Sequence, residues 1–159
     1  MVLVCFVPED SDIEEAFDVY LANLVYAAEQ CGEQGRTALI EPINNRDIPG
    51  YYLNESRMAV EIINELESPS LRLQFDLYHC QIMEGDLAMH LRELKDYVGH
   101  MQIAGVPERH EPNVGEINYP YLFELMDSLG YDVWVGCEYR PQSETAAGLG
   151  WFEAFKSGT

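Results

Sequence analysis

The sequence predicts an α/β fold in which parallel strands alternate with helices. Short apolar runs alternate with longer amphipathic runs along the chain, which gives five strand–helix units with no low-complexity linker between them. The units recur at roughly the 30-residue length of a strand–helix–strand repeat. This pattern favours a parallel sheet with right-handed crossovers, so residues 1–159 are expected to form a single domain.

The first unit is expected to combine a strand over residues 2–7 with a helix over residues 11–34. The strand run is rich in β-branched residues, and Pro8 ends it because proline cannot pair inside a sheet. Ser11 is the expected N-cap of the helix, since Glu14 follows three residues later as in a capping box.

The remaining units follow the same order. Strands are expected over residues 37–41, 71–76, 100–104 and 131–138. Helices are expected over residues 54–67, 86–97, 119–129 and 145–155. Two polar loops, residues 42–52 and 105–115, are longer than simple connectors and therefore favour a functional role.

The chain is strongly acidic: 28 Asp and Glu residues face 9 Lys and Arg residues, and the formal net charge is −19. Such a charge repels phosphate, so neither nucleic acid nor an anionic membrane is an expected partner. No apolar run approaches the roughly 20 residues of a membrane helix. The first residues also lack the basic region of a signal peptide, so a cytoplasmic location is expected.

The four cysteines, at positions 5, 31, 80 and 137, form no CxxC pair. Cys5 and Cys137 lie inside apolar strand runs. This placement favours buried free thiols over disulfides or a zinc site.

Four strand runs end on a residue that can bind a hard cation through oxygen, and these residues are Glu41, Asp76, Gln102 and Glu138. The carboxyl ends of parallel strands gather on one side of the sheet, where ligands bind. Three carboxylates and one amide oxygen suit Mg²⁺ or Mn²⁺ better than zinc. One acidic residue after a strand is more often a solvated loop residue or a helix cap, but four in successive units indicate a shared site.

Seven segments carry a denser signature. They are 40–44 (IEPIN), 75–79 (FDLYH), 99–105 (GHMQIAG), 109–112 (RHEP), 115–120 (GEINYP), 136–141 (GCEYRP) and 148–152 (GLGWF). These segments resemble the hydroxypyruvate isomerase family of the xylose isomerase-like TIM barrels, and they are also similar to 2-oxo-tetronate isomerases. The resemblance implies a partial TIM barrel. A complete barrel has eight βα units, and the chain matches the last five, so the first three are expected to be lacking.

The resemblance also implies an activity. It is the interconversion of hydroxypyruvate, or a similar small 2-oxo acid, with tartronate semialdehyde through an ene-diolate whose charge a divalent cation neutralises. By resemblance, Glu41, Asp76, Gln102 and Glu138 bind the metal, and Glu41 and Glu138 also transfer protons. Related sugar epimerases usually have a histidine at the position of Gln102, which favours the hydroxypyruvate branch.

Two further residues are candidates for substrate contact. His79 follows Asp76 by three residues and is placed to reach a substrate hydroxyl or carboxylate; a structural hydrogen bond is the competing interpretation. Arg109, in the second long loop, suits a bidentate contact with the substrate carboxylate; an ordinary salt bridge is its alternative. Tyrosines 51, 52, 78 and 139 are expected to form pocket wall or core.

Two other functions stay open. One is a shortened homologue that keeps the fold without turnover, and the other is a 2-oxo-tetronate isomerase or sugar epimerase of the same superfamily. An incomplete barrel would expose apolar side chains of its interior and an unpaired strand edge. Self-association would cover them, so a homo-oligomer is expected.

Overall fold

The structure, a computed structural model, describes residues 2–3 and 12–155. Five strands in this part of the chain form one parallel sheet in the order β1-β2-β3-β4-β5. The strands are β1 (Val2–Leu3), β2 (Ala38–Ile40), β3 (Leu71–Asp76), β4 (Val98–Ile103) and β5 (Val135–Cys137). The helices are α1 (Ile13–Glu33), α2 (Ser56–Leu66), α3 (Leu77–Met83), α4 (Leu87–Leu94), α5 (Tyr119–Ser128) and α6 (Thr145–Gly148), which a 3-10 helix (Leu149–Phe155) follows.

The strands pair in chain order, and their register aligns the carboxyl ends. Asp76 pairs with Gln102, which pairs with Gly136. The backbone N–H of Glu138 donates to the Ile103 carbonyl at 3.1 Å, so the ladder continues just past β5. A register shift at Leu73 and Gln74 interrupts the β3–β4 pairing. The ends of β3, β4 and β5 therefore lie side by side.

Every second side chain of the central strands packs against the helices. In β3 these are Leu73 and Phe75, and in β4 they are Met101 and Ile103, all at most 1% exposed. They join one apolar cluster with side chains from α1, α2, α4 and α5. Burying a side chain of this size contributes roughly 1.5–3 kcal/mol, so this layer holds the sheet and the helices together.

The opposite face of the sheet is mainly polar, which corrects the expectation of an apolar inner surface. A Cβ on Gly136 would meet His100 and Gln102, which places these side chains on the face away from the core. Residues in alternation share a face, so Gln74 and Asp76 belong with them. Among the described side chains on this polar face, Leu39 is apolar. The expectation followed the apolar interiors of complete barrels, and it did not take the polar positions of β3 and β4 into account.

Helix ends follow the local sequence closely. Asp12, not the predicted Ser11, caps α1, and its carboxylate accepts from the backbone N–H of Glu14 at 2.9 Å. Ser11 lies outside the described residues. Asn118 caps α5, and Gly130 follows that helix with φ 76°. Glycine adopts this left-handed conformation without strain.

The predicted elements differ from the structure in three places. The region from 77 to 83 was left unassigned, yet it forms α3, which the Asp76 side chain caps by accepting from the Tyr78 N–H at 2.8 Å. The predicted strand over residues 131–138 shortens to Val135–Cys137. The final predicted helix divides into a short α-helix and a 3-10 helix. The predicted strand beyond Leu3 lies outside the described residues.

Three cysteines are free in the described part of the chain, as expected. Cys31 and Cys80 are buried, but Cys137 is exposed, so the prediction of burial is wrong there. Cys137 lies on the helix side of the edge strand β5, where it lines an open apolar groove of about 380 Å³. Cys5 lies outside the described residues. Among the helices described, none has the length and hydropathy to cross a membrane.

Candidate active site at the carboxyl ends of the strands

The four predicted ligands lie at the carboxyl ends of neighbouring strands. Glu41 directly follows β2, Asp76 ends β3, Gln102 lies near the end of β4 and Glu138 directly follows β5. Glu41 and Asp76 are buried, Gln102 is half-buried and Glu138 is exposed. The fold thus places a row of oxygen donors across four strands, with its buried end at β2 and β3.

A residue that the sequence analysis did not single out connects this row. The Gln74 side-chain amide donates to Glu41 Oε2 at 2.7 Å and to Gln102 Oε1 at 2.6 Å. The Gln102 amide in turn donates to Glu138 Oε2 at 3.2 Å. One signal for Gln74 was available: it precedes Asp76 by two residues, and alternate residues of a strand share a face.

Arg109 lies at the exposed end of the row. Its Nη2 is 2.9 Å from Glu138 Oε2 and 3.8 Å from Asp76 Oδ2. Its guanidinium also lies over the Tyr78 ring, 4.9 Å from the centroid, a distance typical of cation–π contact. The salt bridge weighed in the sequence analysis is therefore present. Substrate contact by Arg109 stays a prediction.

His79 is buried and hydrogen bonded within the protein. Its Nδ1 accepts from the backbone N–H of Asn44 at 3.3 Å and lies 2.6 Å from the Asn44 side-chain nitrogen. Because Nδ1 accepts, the neutral ring carries its proton on Nε2, which lies 3.7 Å from Asp76 Oδ2. Burial, reinforced by Arg109, lowers the pKa of His79 to about 4. The structural interpretation of His79 is thus supported, and contact with substrate stays a prediction.

Two carboxylate oxygens in this row are buried without a hydrogen bond. Within the described residues, neither Glu41 Oε1 nor Asp76 Oδ2 has a hydrogen-bond partner. Burial, together with the negative charges of Asp76 and Glu138, raises the pKa of Glu41 to about 8. Burial also raises the pKa of Asp76 to about 7. Buried polar atoms normally have a partner, so these two oxygens are placed for a ligand.

The donor set fits a divalent cation. One ligand atom each from Glu41, Asp76 and His79 lies within 4.8 Å of the others. Gln102 and Glu138 extend this group through their hydrogen bonds with Gln74 and with each other. Carboxylate and amide oxygens suit Mg²⁺ and Mn²⁺. His79 lies beside these oxygens, but its Nδ1 accepts from Asn44 and its Nε2 carries the proton, so it supports the carboxylates rather than binding the cation.

The two long loops form one wall beside this group. Tyr78 donates through its hydroxyl to Asp47 Oδ2 at 2.6 Å and accepts from Arg46 at 3.2 Å. Arg46 also donates to the Pro107 carbonyl at 2.7 Å, which joins the first loop to the second. Tyr51 and Tyr78 are buried, in agreement with the prediction that they form wall or core.

Comparison with known proteins identifies the family. The family model described as "Xylose isomerase-like TIM barrel" matches residues 2–155. The chain belongs to this family. The resemblance and the partial α/β barrel predicted from the sequence are thereby confirmed.

Relatives of this xylose isomerase-like chain carry isomerase names. The 2-oxo-tetronate isomerase of Cupriavidus necator is 55% identical over 154 residues, which make up 97% of this chain and 59% of the relative. The hydroxypyruvate isomerase of Escherichia coli K12 is 42% identical, over 97% of this chain and 60% of that protein. The chain therefore spans about three fifths of the length of these relatives.

Solved structures agree on the fold. A crystal structure named as an AP endonuclease of family 2 from Brucella melitensis matches with a TM-score of 0.93 and 41% identity, over 97% of this chain and 60% of that one. A 3-keto-D-glucoside 4-epimerase from Escherichia coli matches with a TM-score of 0.81 at 24% identity, over 92% and 57%. The second likeness shows the fold alone.

Proposed function

We propose that this chain carries the metal-binding and proton-transfer residues of an isomerase that acts on hydroxypyruvate or a similar small 2-oxo acid. The observation that supports this most directly is the pair of buried carboxylates, Glu41 and Asp76, each with an oxygen that lacks a hydrogen bond to any described residue. The names of the longer relatives, hydroxypyruvate isomerase and 2-oxo-tetronate isomerase, support the reaction class.

In this proposal Glu41, Asp76, Gln102 and Glu138 hold Mg²⁺ or Mn²⁺. The cation, when bound, supplies a Lewis acid for the negative charge that develops on the substrate oxygens. Gln74 keeps the Gln102 amide in one orientation, because it donates to Oε1 and leaves the Gln102 nitrogen directed at Glu138. The second lone pair of Gln102 Oε1 is then available to the cation.

The two glutamates at the ends of the row divide the proton transfers. Glu41 follows β2 and Glu138 follows β5, so Asp76 and Gln102 lie between them. One carboxylate takes the proton from C3 of hydroxypyruvate, which leaves an ene-diolate. The other returns a proton to C2 and the C3 hydroxyl proton passes to the C2 oxygen, so that the carbonyl moves from C2 to C3 without net oxidation.

Arg109 and His79 complete the proposed pocket. Arg109 binds the substrate carboxylate through guanidinium N–H groups that its contact with Glu138 leaves available. His79 keeps its Nε2 proton directed at Asp76 and at a substrate hydroxyl beside it. Because the imidazole is neutral over the physiological pH range, it adds no charge that would oppose a bound cation.

Two alternatives compete with this function. One is a homologue that binds metal without turnover, which an assay of hydroxypyruvate conversion distinguishes from the isomerase. A sugar epimerase of the same fold is favoured less, because Gln102 stands where such epimerases usually have histidine. A 2-oxo-tetronate is an equally suitable substrate of the small 2-oxo acid class.

We further propose that the chain forms a homo-oligomer in the cytoplasm. Because the inner face of the sheet is polar, it does not favour self-association. The support for an oligomer comes from the edge of the sheet. Next to the edge strand β5, Trp134 is 86% exposed and Val133 is 52% exposed. Large exposed apolar side chains beside a strand edge favour association with a second copy.

Metal titration of the chelator-treated protein tests the site. Wild-type protein should bind one Mn²⁺ per chain at the carboxylate row, and Glu41→Gln or Asp76→Asn should weaken this binding at least about tenfold. Glu61→Gln is the matched control, since Glu61 is exposed on α2 and pairs with Arg57 outside the site. Unchanged binding in both site variants would refute the assignment.

Turnover is tested separately, by conversion of hydroxypyruvate to tartronate semialdehyde in the presence of Mn²⁺. The chain is compared with a version extended by the N-terminal part of the Cupriavidus necator relative. Activity in either form that Glu138→Gln abolishes supports the isomerase. Metal binding without activity in both forms supports the non-catalytic homologue.

A further inference from the structure

A second cluster of ligating side chains lies outside the carboxylate row. Cys80, Glu84 and His90 each offer a ligand atom, and these atoms lie within 4.8 Å of one another. Cys80 is buried, whereas Glu84 and His90 are half-buried. The cluster combines a thiol, a carboxylate and an imidazole, which is a different chemistry from the oxygen donors of the first site.

The local fold explains why three separated residues meet. Cys80 and Glu84 are four residues apart at the end of α3, so their side chains lie on one face. The next two residues, Gly85 and Asp86, have φ values of 68° and 46° and reverse the chain into α4. His90 on α4 is thereby brought back against the end of α3.

Glu84 is anchored to the start of α2 through Oε1. Its Oε1 accepts from the Ser56 backbone N–H at 3.0 Å and from the Ser56 hydroxyl at 2.8 Å. It therefore caps α2, whose own N-cap residue, Glu55, makes no side-chain capping bond. The other oxygen, Oε2, lies 3.8 Å from His90 Nε2. A cation could bind this oxygen while the cap stays in place.

The spacing suits a small ion. Tetrahedral Zn²⁺ takes nitrogen and oxygen ligands at about 2.0–2.2 Å and thiolate at about 2.3 Å, which implies roughly 3.3–3.6 Å between ligand atoms. The 3.8 Å between Glu84 Oε2 and His90 Nε2 is close to this value. Small rotations of these half-buried side chains would bring the two atoms to the distance that zinc ligands require. Their partial exposure leaves a fourth position for water.

We propose that Cys80, Glu84 and His90 form a second metal site, selective for Zn²⁺ or a similar borderline-soft cation, which joins α3 to α4 and, through Glu84, to α2. Sulfur and imidazole favour such cations over Mg²⁺. Burial raises the pKa of the Cys80 thiol, so the metal displaces a proton: the S–H bond breaks, a sulfur–metal bond forms and one H⁺ is released per ion.

Cobalt titration separates this site from the carboxylate row. Co²⁺ occupies zinc sites, and a thiolate bound to Co²⁺ gives a charge-transfer absorption in the near ultraviolet. Chelator-treated, reduced protein should develop this absorption with one equivalent of Co²⁺ and lose it when Zn²⁺ is added. The oxygen donors of the first site cannot produce it, so this result is independent of the isomerase proposal.

Variants assign the ligands. Cys80→Ala should abolish the absorption, and His90→Gln should weaken Co²⁺ binding at least about tenfold. Cys137→Ser and Met89→Gln are the controls, since both residues are exposed and lie outside the cluster. His90→Gln keeps the test decisive if Cys80→Ala fails to fold, because His90 lies near the surface of α4. Absence of the absorption in wild-type protein, its persistence in Cys80→Ala, or unchanged affinity in His90→Gln would overturn the site.

Discussion

Gln74 donates a 2.7 Å hydrogen bond to Glu41 across the β2–β3 boundary. The same amide nitrogen also donates to Gln102 on the other side, so one buried side chain orients candidate ligands on both neighbouring strands. Second-layer contacts of this kind fix the geometry of metal ligands. Gln74 is therefore a positioning residue of the candidate site.

The first prediction concerns this residue. Gln74→Leu keeps the approximate volume but removes both hydrogen bonds, so Glu41 and Gln102 lose their fixed orientation. We expect Mn²⁺ affinity to fall about 10–100-fold, measured by calorimetric titration. Gln30→Leu is the control, because the Gln30 amide forms an exposed hydrogen bond with Glu33 on α1, outside the candidate site. Wild-type affinity in Gln74→Leu would remove the positioning role.

The second prediction concerns the stability of the metal-free protein against pH. Glu41 and Asp76 have pKa values raised to about 8 and about 7 from ordinary values near 4. At these two carboxyl groups the folded state therefore binds more protons than the unfolded state between pH 4 and pH 8. Their contribution lowers the free energy of unfolding as pH rises through this window, and it exceeds the opposite contribution of the single buried His79.

We expect the metal-free protein to be more stable at pH 5.5 than at pH 8 by more than about 1 kcal/mol. Urea unfolding at the two pH values measures the difference. The double variant Glu41→Gln/Asp76→Asn should lose most of it, because amides do not titrate. An equal pH dependence in wild type and double variant would contradict the assignment to these two carboxylates.

The third prediction separates the two interpretations of Arg109. This side chain lies near both Asp76 and Glu138, and its positive charge opposes a cation bound there. Arg109→Ala should therefore leave Mn²⁺ affinity equal or severalfold higher, while KM for the 2-oxo acid rises at least about tenfold. Steady-state kinetics and metal titration give the two values.

Arg57→Ala is the matched control, since Arg57 is exposed and pairs with Glu61. If Arg109→Ala changed neither KM nor metal affinity, the salt bridge would be only structural. A loss of metal affinity would show instead that Arg109 holds Glu138 in its ligating position.

The fourth prediction uses a glycine on the polar face. A Cβ at Gly136 would lie 2.8 Å from His100 Nε2 and 3.3 Å from Gln102 Cγ. Gly136→Ala should therefore displace the His100 ring, shift Gln102 by a few tenths of an ångström and weaken Mn²⁺ binding, at a cost of about 1 kcal/mol of stability. Gly150→Ala is the control, because no atom of the described residues lies within 4 Å of its Cβ position. Equal Mn²⁺ affinity and equal thermal stability of the two variants would contradict a close contact between the Cβ of residue 136 and the side chains of His100 and Gln102.

The fifth prediction concerns self-association. Light scattering of the wild-type protein should give a mass of at least two chains, and Trp134→Ser should shift it toward one chain. Tyr26→Ser is the control: Tyr26 is 66% exposed on α1, away from β5. A monomeric wild-type protein would end the proposal of a homo-oligomer.

The sequence by itself determined the order of the five strands and the bounds of β3. Apolar periodicity and breakers such as Gly130 act over a few residues, so β3 over residues 71–76 was predicted to the residue. The sequence also predicted that four oxygen donors lie at one side of the sheet, because parallel strands bring their carboxyl ends together there. These are Glu41, Asp76, Gln102 and Glu138.

Tertiary structure decided what those residues contact. The role of Gln74 depends on which residues stand opposite it across two strand pairs, and the register shift at Leu73 and Gln74 cannot be read from either strand alone. The cluster of Cys80, Glu84 and His90 needs the chain reversal after α3, a helix the sequence analysis missed. Periodicity is local and so visible in sequence, whereas hydrogen-bond partners and buried charge arise from segments packed across the sheet.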